Sequence, residues 1–300
     1  MRYDIVILGS GPAGLSAAVA ARGRNKSVLV VGNRWQDSPL ARAECVDNYL
    51  GLPSMTGAEL MERFTRHAEE SGANLVTGKV ISLMAWEGFH LTVGNELYEG
   101  SSLILAPGVV RQAKYPGEME YLGRGVSYCA TCDGNFFRGR DTAVVGGGNT
   151  ALEDALFLAN ICPNVYLIHR RDTFKAERHL IDALAAAPNI HVLLSHRVVE
   201  VQGEQSVTSL LVEGPEGRRS LPVAGVFAAV GLVPDNQVFS PPLELDGAGY
   251  IVAGEDTCTN VPGVFAAGDT RVKDLRQLVT AAADGASAAS QAGRYLQSAQ

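Results

Sequence analysis

No apolar run in this sequence reaches the ~18 residues that a membrane-crossing helix needs, so no membrane partner is expected. No block of like charge exists either. Lys and Arg number 25 against 32 Asp and Glu, a formal net charge of −7. Nothing gathers into the basic stripe of a nucleic-acid surface, so no nucleic acid is expected. The opening Met1-Arg-Tyr-Asp-Ile-Val-Ile-Leu8 has no signal-peptide layout, and a cytoplasmic protein is expected. Cysteine is too sparse for a disulfide scaffold: there are five, and only two are closely paired. No second C-x-x-C or C-x-x-H follows at zinc spacing, so no metal site is expected. The remainder is ordinary globular composition, 46% hydrophobic and 19% charged, in 300 residues, enough for two domains.

The two paired cysteines stand in Cys129-Ala-Thr-Cys132-Asp133. This spacing lets two sulfurs join and part again, and a thiol in such a motif is often partly thiolate near neutral pH. Asp133 follows directly, where a carboxylate can move protons to and from the thiols. Cys45, Cys162 and Cys258 are expected to be small core or partly exposed thiols.

Glycine, 33 residues in all, clusters at strand-to-helix turns. Tyr3 to Leu8 is an apolar run of the kind that forms a buried parallel strand. Gly9-Ser10-Gly11-Pro12-Ala13-Gly14, a helix from Leu15 to Arg22 and a strand from Ser27 to Val31 come next. This is G-x-G-x-x-G in its βαβ setting, where a helix N-terminus receives a pyrophosphate. The acid expected roughly 20 residues on, to bind a ribose hydroxyl, is missing: Gly32-Asn33 stands there. Asn33, backbone, or Asp37 or Glu44 from the adjoining loop could replace it. Residues 34–56 read as irregular, Gly57 to Ser71 as an amphipathic helix, and 75–105 as several short strands.

The pattern then repeats. Residues 139–168 hold a strand, Gly146-x-Gly148-x-x-Ala151, a helix and a second strand. Gly9 to Gly32 and Gly146 to His169 are the same interval, 23 residues (32 − 9 and 169 − 146). In the repeat, His169-Arg170-Arg171 occupies the place of the acid. An acid there would repel a 2′-phosphate, whereas two arginines can clamp one, with Lys175 as a third charge. Gly263 to Asp269 reads as a strand ending in Gly268-Asp269, whose carboxylate can reach a ribityl or ribose hydroxyl or cap a helix start. Leu278 to Ala299 reads as a small-residue helix. The second unit is expected to be inserted into the first, entered near residue 110 and left near 235.

Together these residues resemble the low-molecular-weight thioredoxin reductases over nearly the whole chain. The most specific stretches are Cys129 to Gly134, Gly146 to Ala151 and His169 to Ala176, with Phe265 to Asp269 and Arg276 to Thr280 as further parts. The resemblance implies an α/β fold of two Rossmann-like, three-layer ββα domains. Residues 1–110 and 236–300 would form a discontinuous FAD-binding domain, and 111–235 an inserted NADPH-binding domain carrying the C-x-x-C. It implies a homodimer whose Cys129–Cys132 disulfide passes electrons to thioredoxin or a thioredoxin-like protein, with Cys132 nearer the flavin and Asp133 as acid/base. FAD would be held by Gly9, Ser10, Gly11, Pro12, Ala13, Gly14, Asn48, Gly268, Asp269, Arg276, Gln277 and Leu278. NADPH would be held by Gly146, Gly148, Asn149, Thr150, His169, Arg170, Arg171 and Lys175. Three positions depart from the family. Asn33 to Leu40 lacks its Gly-Gly-Gln stretch, Pro107 replaces the Thr before Gly108, and the acid after the second strand is absent. The first half thus also resembles clostridial ferredoxin-linked thioredoxin reductases, which lack the nicotinamide motifs kept here. A ferredoxin-linked flavoprotein reductase and a flavin-bound redox sensor are the alternatives.

Overall fold

The computed structural model describes residues 1–43, 45–85, 88–111, 113–230 and 232–298. It separates into two compact units. Met1–Ala43, Tyr49–Val110 and Val233–Gln300 make the first, and Glu44–Asn48 with Arg111–Leu232 the second.

The first unit begins β1 (Arg2–Leu8), α1 (Pro12–Arg22), β2 (Val28–Gly32). Two short 3-10 turns, at Trp35–Asp37 and Leu40–Arg42, lie in the loop after β2. α2 (Gly57–Glu70) starts at a capping box, in which Thr56 accepts from the Glu59 N–H and the Glu59 side chain reaches back to the Thr56 N–H. β3 (Asn74–Thr77), β4 (Val80–Ala85), β5 (Phe89–Val93) and β6 (Glu96–Leu105) come after it. The chain leaves through β7 (Val110–Arg111).

The second unit runs β8 (Val126–Ser127), α3 (Ala130–Asp133), β9 (Thr142–Val145), α4 (Asn149–Ala159), β10 (Val165–His169), α5 (Arg178–Ala185) and β11 (Ile190–Leu194). An antiparallel meander of β12 (Arg197–Gly203), β13 (Val207–Gly214) and β14 (Gly217–Pro222) precedes β15 (Gly225–Ala228). The chain returns through β16 (Leu232–Val233), which pairs with β7, and ends with β17 (Val264–Ala266) and α6 (Leu278–Ser298).

In the first unit the strands lie in the order β3-β2-β1-β6-β5-β4, with β17 also on β6. β1, β2, β3 and β17 are parallel partners in this sheet, while β4 and β5 run antiparallel. In the second unit β11-β10-β9-β15-β8 are all parallel.

The inner parallel strands, such as β1, β2, β9 and β15, are buried on both faces, so their alternate residues serve different cores, while the edge strands β3 and β11 are partly exposed. Ile5, Ile7, Val28, Val30 and Ile104 pack with α1, α2 and α6. Val6, Leu8, Leu29, Val31, Leu103 and Leu105 pack on the opposite face with Phe89, Leu91, Tyr98 and Ile251. The second unit repeats the division. Val144, Val165, Leu167 and Phe227 meet α4 and α5, while Ala143, Val145, Ile168 and Val226 meet the meander through Val198, Leu210 and Val212. This is the three-layer ββα arrangement twice over, as expected. Each fully buried Val, Leu or Ile contributes about 1.5–3 kcal/mol.

One charge cluster lies inside the first unit. Arg271, 2% exposed, holds Asp284 with two hydrogen bonds, at 2.9 Å from Nε and 2.8 Å from Nη2. Lys273 Nζ and the Gly268 N–H donate to the same carboxylate at 2.8 and 2.9 Å. Burial pushes the Asp284 carboxyl up, but these donors outweigh it and hold it below the usual range. Removing the carboxylate takes the ion-pair partner of Lys273 and leaves buried Arg271, among the described residues, only the exposed Glu255, at 3.2 Å, which costs about 3–5 kcal/mol. Asp284→Ala is therefore expected to lose stability of that order in urea unfolding monitored by circular dichroism, far beyond the ~0.5 kcal/mol of an ordinary surface substitution.

Candidate active site and nucleotide sites

The β1–α1 turn requires glycine for physical reasons. Gly9 has φ +115°, and a Cβ on it would stand 2.0 Å from the Ala106 carbonyl oxygen. A Cβ on Gly14 would stand 1.8 Å from the Gly9 oxygen, whereas Gly11 faces open space. Gly11 is the N-cap of α1 and supplies no side-chain acceptor, and Pro12 occupies the first turn. The helix N-terminus keeps donors for an anion. Ser10 Oγ donates to the Asn33 carbonyl at 2.6 Å, and a Cβ on Gly32 would meet that hydroxyl at 2.4 Å. Thus Gly32-Asn33, found where an acid was expected, closes against the turn through backbone. Of the other candidates for the acid's role, Asp37 is exposed and paired with Arg34 at 3.0 Å, and Glu44 lies outside the described residues. Asn48 is exposed, on the segment that groups with the second unit.

Gly268-Asp269 comes after β17, and Gly268, at φ +80°, lies where a Cβ would stand 2.8 Å from Ala13 Cβ. The structure therefore brings Gly268 and Asp269 onto the β1–α1 turn. Asp269 Oδ1 and Arg276 Nε are buried with no hydrogen-bond partner among the described residues. Burial pushes the Asp269 carboxyl up, against the pull of Lys273 and Arg276 and with the push of Asp284. The Arg276 guanidinium lies 4.2 Å from the Tyr250 ring centroid. Gln277 donates its N–H to Thr280 Oγ1 at 3.1 Å, beside Leu278 at the start of α6. An open glycine cradle beside a carboxylate oxygen and a guanidinium Nε that lack partners among the described residues fits a dinucleotide carrying hydroxyl and phosphate groups.

In the second unit Gly148 is the N-cap of α4 and again supplies no side-chain acceptor. A Cβ on Gly147 would lie 2.2 Å from the His169 ring, so the glycine lets β10 press its last residue on the Gly146–Gly148 turn. His169 stacks on Phe174 and its Nε2 lies 3.1 Å from the Thr173 carbonyl. Burial, with help from Arg171 and Arg170, holds its pKa below the usual value against that hydrogen bond. Asn149 exchanges two hydrogen bonds with Glu177, at 3.0 and 2.9 Å, tying the starts of α4 and α5 together. Thr150 is exposed in the first turn of α4. Arg170, Arg171 and Lys175 are exposed, and among the described residues no acid lies in ion-pair range of them. Three unpaired cations beside a glycine turn fit a phosphorylated ribose.

The redox pair lies in the same unit. Cys129 is the N-cap of α3, and Cys129 and Cys132 form a disulfide with Cα atoms 5.2 Å apart. Both are half-buried, as is Asp133. Glu118, 2% exposed, accepts from the Lys114 N–H at 2.6 Å and from the Tyr128 hydroxyl at 3.0 Å, fixing the residue before Cys129. On the other side, Asp154 of α4 is 8% exposed and accepts from the Ala130 N–H. Cys162 is buried, Cys45 and Cys258 are half-buried, and all three are free thiols as expected. No described helix is long and apolar enough to cross a membrane, and no metal-ligand cluster occurs among the described residues.

A family model of the pyridine nucleotide-disulphide oxidoreductases matches residues 3–286. A thioredoxin reductase of Vibrio cholerae is 44% identical, over 98% of this chain and 96% of its own. A thioredoxin reductase of Peptoclostridium acidaminophilum is 40% identical, over 98% and 97%. The chain belongs to the thioredoxin reductases. A crystal structure of the thioredoxin reductase from Streptococcus pyogenes superposes with a TM-score of 0.90 at 34% identity, covering 99% of both chains. In this thioredoxin reductase fold the vicinal disulfide and both glycine turns occupy the positions anticipated from the motifs.

Glu118 and Asp154 carry no motif signal. Only a single buried acid on an otherwise apolar helix face, Asp154, could have been noticed. Burial first, then Glu153, pushes Asp154 up to about 7, against the Ala130 N–H. Between its ordinary value and 7 the folded protein holds a proton that the unfolded chain has released. Stability therefore falls as pH rises across that window. The loss between pH 5 and 8 is expected to be a few kcal/mol, at ~1.4 kcal/mol per pH unit. Asp154→Asn should lack this component, as read from urea unfolding at several pH values.

Proposed function

We propose that this chain is an NADPH-dependent thioredoxin-disulfide reductase with FAD in its first nucleotide site. The observation that carries this reading is the Cys129–Cys132 disulfide, with Asp133 adjoining it, in one unit with unpaired Arg170, Arg171 and Lys175. The domains would be 1–110 with 236–300 for FAD, and 111–235 for NADPH. The glycine cradle from Gly9 to Gly14, with Asn48, Gly268, Asp269, Arg276, Gln277 and Leu278, would hold FAD. Asp269 would take a ribityl hydroxyl, ending the isolation of its Oδ1. The Gly146–Gly148 turn, Asn149 and Thr150 would receive the NADPH pyrophosphate. His169 would wall the adenosine side, and Arg170, Arg171 and Lys175 would clamp the 2′-phosphate. When bound, the two cofactors supply a hydride donor and a two-electron relay.

This chain's residues do the rest. Two electrons and two protons convert the disulfide to two thiols, and Asp133 holds and delivers a proton at the sulfurs. The Cys129 thiolate attacks a disulfide of a thioredoxin-like protein, forming a mixed disulfide and releasing one partner thiolate. Cys132 then attacks Cys129 Sγ, restoring the Cys129–Cys132 bond and releasing the second. The protein would work as a cytoplasmic homodimer.

The departures between Asn33 and Leu40 favour ferredoxin as donor, but they lie in the first unit and leave the basic cluster intact. A fold that no longer bound NADPH would gain nothing from three unpaired cations there. The purified protein is expected to be yellow with FAD. Cys129→Ser and Cys132→Ser should abolish reduction of a thioredoxin disulfide while flavin bleaching by NADPH persists. Turnover by either variant overturns the reading.

Donor choice has its own measurement. Hydrogen bonds to a charged group are worth about 1.5–3 kcal/mol. Arg170→Ala and Arg171→Ala should each lower NADPH efficiency roughly 10- to 150-fold, at ~1.4 kcal/mol per decade. NADH efficiency should stay unchanged. Flavin reduction by reduced ferredoxin and by neither nucleotide would replace NADPH as donor.

A further inference from the structure

Ser127 ends β8 and is 4% exposed, its backbone paired with Phe227 of β15. Its hydroxyl donates to Asp133 Oδ2 at 2.5 Å and accepts from the Cys129 N–H at 3.1 Å. The Cys129 carbonyl lies 3.4 Å away, as a second acceptor. This is not helix capping, because Cys129 and not Ser127 is the N-cap of α3. One buried hydroxyl thus joins the strand before the disulfide to the carboxylate after it.

We propose that Ser127 is a positioning residue for Asp133, tying the carboxylate to the Cys129 backbone and stabilising its ionised form. The inference rests on the acid/base role given to Asp133 above. A hydroxyl has one proton to donate, and O–H···O⁻ bonds of about 2.5–2.7 Å are the strong, charge-assisted kind. When the S–S bond breaks, a sulfur keeps the electron pair and takes the proton of Asp133. The carboxylate left behind is then held by the Ser127 O–H. When Asp133 is protonated it can donate to Ser127 Oγ, and the hydroxyl proton turns to the Cys129 carbonyl. The hydroxyl therefore tracks the protonation of the acid in both directions.

The test is a double-mutant cycle of Ser127→Ala with Asp133→Asn, measured as thioredoxin-disulfide turnover over pH and as flavin reduction by NADPH. Ser127→Ala should lower turnover roughly 10- to 150-fold, the range for a hydrogen bond to a charged group. The limb of its pH profile that Asp133→Asn removes should move to higher pH. Flavin content and flavin reduction should stay unchanged, and in the Asp133→Asn background Ser127→Ala should cost nothing further. Ser127→Thr, which keeps the hydroxyl, should keep the pH profile of the starting protein. An unmoved pH limb, an equal loss in both backgrounds, or an alanine variant that no longer holds flavin overturns the proposal. If Asp133→Asn itself loses nothing, the acid/base reading fails and this inference falls with it. If Asp133→Asn loses turnover and Ser127→Ala does not, only this inference fails.

Discussion

Everything in this molecule depends on parallel strands buried on both faces. A strand such as β1 has no solvent side, so Ile5 and Ile7 serve one core while Val6 and Leu8 serve the other. Polar chemistry is thereby driven off the strands to their C-terminal ends, where chain must turn sharply into a helix. The turn after β1 is so close to its neighbours that side chains at Gly9 and Gly14 would overlap backbone oxygens. The same crowding leaves the helix N–H groups bare, which is what a phosphate needs. Fold and binding site are two results of one packing constraint.

The charges divide by the same logic. Asp284 is enclosed by Arg271, Lys273 and the Gly268 N–H, so its charge is fully answered inside the first unit. That network holds the Gly268 backbone, and so fixes the turn presenting Asp269. Asp269 is buried nearby without a partner for Oδ1, and burial pushes its pKa up. Arg170, Arg171 and Lys175 in the second unit differ: they are exposed, and among the described residues no acid lies in ion-pair range of them. Satisfied charges build the frame, and the unsatisfied ones are left beside the two glycine turns.

The redox turn shows how a short segment is kept in place. α3 has four residues, too few to be stable alone. Its geometry comes from its surroundings: Glu118 grips Tyr128, Ser127 grips Cys129 and Asp133, and Asp154 takes the Ala130 N–H. A Cβ on Gly134 would stand 2.8 Å from the Phe157 ring, so the turn rests directly on α4. The disulfide can open without freeing the chain around it, because none of these contacts uses a sulfur.

Much of this was legible in the sequence. The short apolar runs Tyr3–Leu8 and Val165–Ile168, each next to a glycine turn and a helix, read as strands, and G-x-G-x-x-G in that βαβ setting has one characteristic local geometry. The equal 23-residue interval exposed the repeat and the basic cluster (32 − 9 and 169 − 146). The C-x-x-C-D carried its chemistry in five adjacent letters. These signals are local, so one dimension is enough to hold them. The rest was not local. That Asn33 meets Ser10 through its backbone oxygen required β1 and β2 to lie side by side. Ser127 stands six residues before Asp133, but the strand that carries it, β8, is paired with β15, 100 residues later (227 − 127). Arg271 and Asp284 are 13 residues apart, and nothing in their spacing says that both lie in one buried cluster. Local patterning determined the strands, the turns and the reactive pair; tertiary structure alone decided which charges are enclosed, because burial belongs to the packed whole and not to any segment of it.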